Sequence, residues 1–176
     1  MKKRTKTELF TLVFVIIALL FMMVYSSKYR IAVYVPNDSV ELDEFYPGEG
    51  FEIVDTSELC PISGWDYSGF VVTDASHHRY LVFFWKLDNK EKARELWEEL
   101  WKKRFEVLAK NRGRIVKPSY AFGKVVRFGI KDMAWQKGCW VFFVETDEGV
   151  IPEGKESDFM KKFIPEQFLN EQAAPR

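Results

Sequence analysis

His77 and His78 are the chain's two histidines and stand close after Asp74. Two imidazoles and a carboxylate are donors suited to zinc or copper. Adjacent residues reach one ion only where the chain bends sharply, and no third His or Cys is near in sequence. Asp74, His77 and His78 are therefore kept as a metal candidate, solvated turn residues are the preferred reading, and no cofactor is expected. Neither histidine lies in a Gly-x-Ser-x-Gly or comparable nucleophile context, and Ser76 reads as a turn residue. Trp65, Asp66 and Tyr67 form the second candidate. Exposed aromatic residues around a carboxylate suit recognition of glycan, peptide or protein, whereas a Trp65 folded back would be a lid on the core. Glu145, Asp147 and Glu148 could supply paired carboxylates, but acid and base work needs a cleft and a defined separation. No catalytic residue is assigned.

Cys60 and Cys139 are the only cysteines. Placed in an oxidising compartment they are expected to pair as one disulfide, with two separate buried thiols as the alternative. The compartment follows from the N-terminus. Four bases, Lys2, Lys3, Arg4 and Lys6, precede an uncharged run from Leu9 to Tyr25 that includes Phe14, Ile17 and Leu20. The run exceeds the usual signal-peptide core, so it reads as a transmembrane signal-anchor over 9–27, with cleavage after Ser26 and secretion as the alternative. The basic head over 1–8 puts the N-terminus in the cytoplasm and the rest of the chain outside.

Basic and acidic side chains number 26 each, and the head carries four of the former and one of the latter. The remainder is therefore mildly acidic, which excludes the basic surface that nucleic acid requires. All six tryptophans lie past the anchor, so that part has a real core.

The elements that must position these groups begin with a juxtamembrane stretch, 28–50. It holds a short strand through Ile31, Val33 and Val35 and then an acidic linker rich in Gly and Pro. A globular domain over 51–170 follows, and 171–176 is expected to fray. Strands are expected at Phe51 to Val54, Phe70 to Thr73 and Tyr80 to Leu87, the last two as a hairpin. Both faces of the last are apolar, which makes it a central strand. A long helix runs from Asp88 to near Asn111 with a stripe through Ala93, Leu96, Trp97, Leu100, Trp101, Phe105 and Leu108. Three strands come next, at Arg114 to Lys117, Lys124 to Ile130 and Gly138 to Glu145. A short helix over Ser157 to Ile164 closes the domain, limited by Pro165.

This order gives an α+β domain: an antiparallel sheet of about five or six strands covered by one long and one short helix. In outline it is similar to the PsbP-like sandwiches, which recur in exported and lipid-anchored accessory proteins; the resemblance covers element order alone and carries no site residue. The expected function is a non-catalytic interaction or accessory module of the cell envelope, held to the lipid bilayer through 9–27 and binding a protein partner. The alternative is a secreted or membrane-proximal domain that binds or hydrolyses a ligand with its aromatic loops.

Overall fold

The structure is a computed structural model, and it describes residues 10–19, 31–106 and 111–169. The chain divides into two compact units, Met1–Ile31 and Ala32–Arg176. In the first, a helix (α1) covers residues 10–19. Ten residues rise about 15 Å, against a hydrocarbon core of roughly 30 Å. Among the described residues no helix is long and apolar enough to cross a membrane. This overturns the expected span, and with it the membrane location and orientation built on it. Phe14 and Ile17 lie in α1, whereas Leu9, Leu20, Tyr25, the basic head and the C-terminal tail lie outside the described residues.

The second unit is α+β. Seven strands form one antiparallel sheet: β1 (Phe51–Thr56), β2 (Ser68–Asp74), β3 (Arg79–Lys86), β4 (Asn111–Val116), β5 (Tyr120–Arg127), β6 (Ile130–Lys137) and β7 (Trp140–Asp147). Their order is β1-β2-β3-β7-β6-β5-β4. Two meanders thus meet at β3 and β7, where Val82 faces Val144 and Phe84 faces Phe142. Both central strands are apolar on both faces because both faces are covered.

One face is covered by α2 (Lys90–Leu100), whose cap is Asn89: its side chain accepts the Lys92 N–H at 2.9 Å. The three-and-four spacing puts Ala93, Leu96, Trp97 and Leu100 on one buried stripe. The stripe continues through a π-helical turn, Trp101–Phe105, in which Trp101 stacks on Trp97 and Phe105. Gly123 of β5 admits this stack, since a β-carbon there would lie 2.6 Å from the Trp101 ring. The expected continuation of the helix to Asn111 fails at its end, because Asn111 opens β4; residues 107–110 lie outside the described set.

The opposite face is covered by α3 (Glu156–Phe163) and the incoming segment. Val33 and Val35 are buried there, but the expected strand does not form. The backbone instead serves side chains of the sheet: Trp135 donates to the Tyr34 carbonyl, Lys137 to Val33 and Trp140 to Asn37. Phe45 then inserts among Phe84, Phe142 and Phe163.

The strand count exceeds expectation because of one turn. Phe128 and Gly129 both have positive φ, 50° and 80°, and Arg127 pairs with Ile130, which makes a two-residue hairpin of the primed type. Phe-Gly lacks the usual Asn or Asp, so Lys124 to Ile130 read as one strand running through the turn. β6 was concealed a second way, by Lys131, Asp132 and Gln136, which are buried polar residues inside it.

Candidate functional site

Where β6 ends and α2 begins, the fold leaves a cleft of about 530 Å³. Val35, Pro36 and Pro118 form apolar wall. Lys90, Arg94 and Lys137 bring positive charge, and Asp38 and Glu91 bring negative charge. The volume falls within the range of roughly 300–1,000 Å³ usual for small-molecule sites.

Two lining side chains carry buried polar atoms without a partner among the described residues: Gln136 Oε1 and Arg94 Nη1. Gln136 is 3 % exposed. Its Nε2 donates to the Gly138 carbonyl at 2.8 Å, which sets the amide's orientation and leaves Oε1 as the unsatisfied acceptor. Arg94 spends one nitrogen, Nη2, on the Lys117 carbonyl at 2.7 Å. Burial lowers the pKa of Arg94, as it does that of Lys137. Each unmet buried group costs about 1–3 kcal/mol, so a ligand supplying both partners gains from a cost already incurred. Asp38 is held in place by the Cys139 N–H, 2.9 Å from its Oδ1, and by the close approach of Gly138.

A second polar cluster lies on the same sheet face, near the π-helical turn. Asp132 is fully buried, with Oδ2 2.7 Å from Arg127 Nη2 and 3.7 Å from Arg104 Nη2. Arg104 also binds Glu145 Oε2 at 2.6 Å, and Asp132 and Glu145 are cross-strand partners. Burial pushes the Asp132 carboxyl up to about 6; the two arginines oppose this and Glu145 adds to it. Asp132 Oδ1 and Arg104 Nε are also buried without a partner among the described residues, but neither residue lines the cleft, so the cluster is assigned no ligand.

The residues singled out in the sequence fall elsewhere. Asp74 and His78 do come together, His78 Nδ1 lying 3.2 Å from Asp74 Oδ2. Asp74 also accepts the N–H groups of Ser76 and His78 and the Tyr80 hydroxyl. Burial would raise its pKa, but these hydrogen bonds outweigh burial and hold it at about 2. Burial and the Asp74 carboxylate together push Tyr80 up. His77 sits exposed at the turn with φ 61°. Among the described residues no group of three or more His, Cys, Asp or Glu is placed to hold a metal ion. Asp74 is spent on organising the hairpin.

Trp65 donates to Glu99 on α2 at 3.1 Å, and Tyr67 donates to the Glu58 carbonyl and packs edge-on against Phe83. Both lie partly buried against the α2-side core while Asp66 is exposed. Asp147 and Glu148 are exposed, away from the buried environment of Glu145's neighbour Asp132. The expected disulfide is overturned: Cys60 and Cys139 are both free. Cys60 packs against the α2-side core and Cys139 lies in the β6–β7 turn beside Asp38. Burial pushes both thiols up, which disfavours the reactive thiolate. Sequence reasoning missed Gln136 and Arg94. The available signal was the eight-residue run between Gly129 and Gly138, which brackets β6.

No protein-family model and no curated protein matches the chain. A solved structure described as a GTP binding regulator from Thermotoga maritima is similar at 20 % identity, covering 74 % of this chain and 90 % of that one with a TM-score of 0.52. The likeness is one of fold.

Proposed function

We propose that this chain is a non-catalytic binding module and that the cleft at the start of α2 is its recognition site. The observation that supports this reading is the pair of unmet buried atoms, Gln136 Oε1 and Arg94 Nη1, on one cleft. Natural folds leave few such groups unsatisfied. The lining holds no His or Cys, and its one hydroxyl, Ser119, is exposed, so it offers no Ser–His or Cys–His pair.

The test is native mass spectrometry of the full chain, before and after mixing with small-molecule extract and, separately, with GTP. GTP is included because a structural neighbour is described as a GTP binding regulator. The expected result is a non-covalent adduct on the unaltered chain that is missing from Gln136→Leu. The same adduct pattern on the two chains under every condition would sink the reading.

A second reading, docking onto another protein, is favoured by Phe128. Its side chain is 98 % exposed at a turn whose left-handed backbone disfavours it. Large aromatic residues are frequent binding anchors. If so, Phe128→Asn lowers affinity for a partner while raising the stability of the free chain.

A further inference from the structure

We infer that the cleft takes a small zwitterion of the amino-acid class, with its ammonium on the Gln136 and Asp38 side and its carboxylate on Arg94. This rests on the cleft being a binding site and names what it binds. The two orphan atoms make opposite demands. Gln136 Oε1 can only accept, so the ligand must bring an N–H or O–H; Arg94 Nη1 can only donate, so it must also bring an acceptor.

Charge narrows the class. A polyanion would meet Arg94 and Lys90, with Lys137 already donating to the Val33 carbonyl, but it would also face Asp38 and Glu91, the latter paired with Lys90. A simple cation meets the reverse difficulty. A molecule with one charge of each sign answers both sets, and like-charge contact is what rejects the others. Guanidinium and carboxylate form charge-assisted bonds, which are the stronger kind, and Arg94 has a nitrogen uncommitted for one. Val35, Pro36 and Pro118 supply apolar wall for a side chain, and about 530 Å³ leaves room for one. Asp38 is already oriented by Cys139, so little ordering is needed on binding.

The experiment is calorimetric titration of the full chain with each free proteinogenic L-amino acid, and with the N-acetyl and carboxamide forms of any that bind. Inorganic pyrophosphate serves as the polyanion probe. A free amino acid should bind, each capped form should bind at least about tenfold more weakly, and Arg94→Lys and Gln136→Leu should each weaken binding by about tenfold while the chain still melts cooperatively. Pyrophosphate binding, or capped forms that bind as well as the free amino acid, would overturn the zwitterion and leave the cleft as a site for something else. So would silence from every probe when the mass adduct is present. Silence together with no adduct in any chain would remove the binding module itself. Should either variant melt without cooperativity, Lys90→Gln at the exposed rim carries the test: weaker binding of the free amino acid supports the assignment, and unchanged binding opposes it.

Discussion

The most direct test of the buried charges is the stability of Asp132→Asn as pH changes. Asp132 is fully buried, and burial pushes its carboxyl from the ordinary 3.8 up to about 6. Between those values the folded chain holds a proton that the unfolded chain releases. The native state therefore binds more protons, and stability falls as pH rises through the window. A difference of about 2 in pKa, at 1.36 kcal/mol for each, makes the loss about 3 kcal/mol by pH 7. Asparagine has the same shape, can accept from Arg127, and does not titrate. The assay is urea unfolding of both chains at about pH 4 and about pH 7, with linear extrapolation to water. Between the two conditions the original chain should lose about 2 kcal/mol relative to the variant, less than the full loss of about 3 because at about pH 4 the unfolded carboxyl is already more than half ionised. Other acids titrate in both chains and cancel in the comparison. Parallel curves would refute the reasoning, because they would mean that Arg104 and Arg127 fully offset the desolvation of Asp132. A relative gain at pH 7 would refute it more strongly, showing that the ion pairs outweigh burial.

Three further outcomes follow from local geometry. Gly123→Ala puts a β-carbon 2.6 Å from the Trp101 ring, which is pinned between Trp97 and Phe105; overpacking of this kind costs about 1–3 kcal/mol, read as a lower urea midpoint, and Trp101→Leu in the same chain should recover part of it. Phe128→Asn keeps the positive φ with a residue that accepts it, and the melting temperature should rise, corresponding to about 1 kcal/mol. Asp74→Asn should flatten acid unfolding: the hydrogen bonds that hold Asp74 at about 2 contribute stability that is present above 3.8 and is lost as pH falls toward 2. An unchanged acid limb in circular dichroism would count against the Asp74 account.

How far the sequence could be read is visible element by element. Both central strands were legible because each is apolar on both faces, a pattern that only a doubly covered strand tolerates. The stripe from Ala93 to Phe105 was legible for the same kind of reason, a 3.6-residue period. Reading failed at β6. There, Lys131 is buried because it donates to the Ile151 carbonyl and meets Glu156 at 3.1 Å, and Asp132 because Arg127 and Arg104 answer it. Those partners are distant in sequence or brought close only by folding, so nothing local marks the run as an interior strand. The incoming segment failed in the opposite sense: Val33 and Val35 alternate as a strand does, but the Val33 and Tyr34 carbonyls are taken by lysine and tryptophan side chains of the sheet.

The sequence by itself therefore determined the class of fold and the composition of its core, since burial of an apolar face follows from periodicity along the chain. The end of α2, the state of the thiols and the grouping of side chains around the cleft were decided by tertiary structure. Cys60 and Cys139 remain apart because each is held by its own neighbours. Arg94 and Gln136 come to line one cleft because α2 and β6, separated along the chain, are brought together by the fold, leaving one without an acceptor and the other without a donor. Unmet hydrogen bonds are a property of surroundings, and surroundings exist only once the chain has folded.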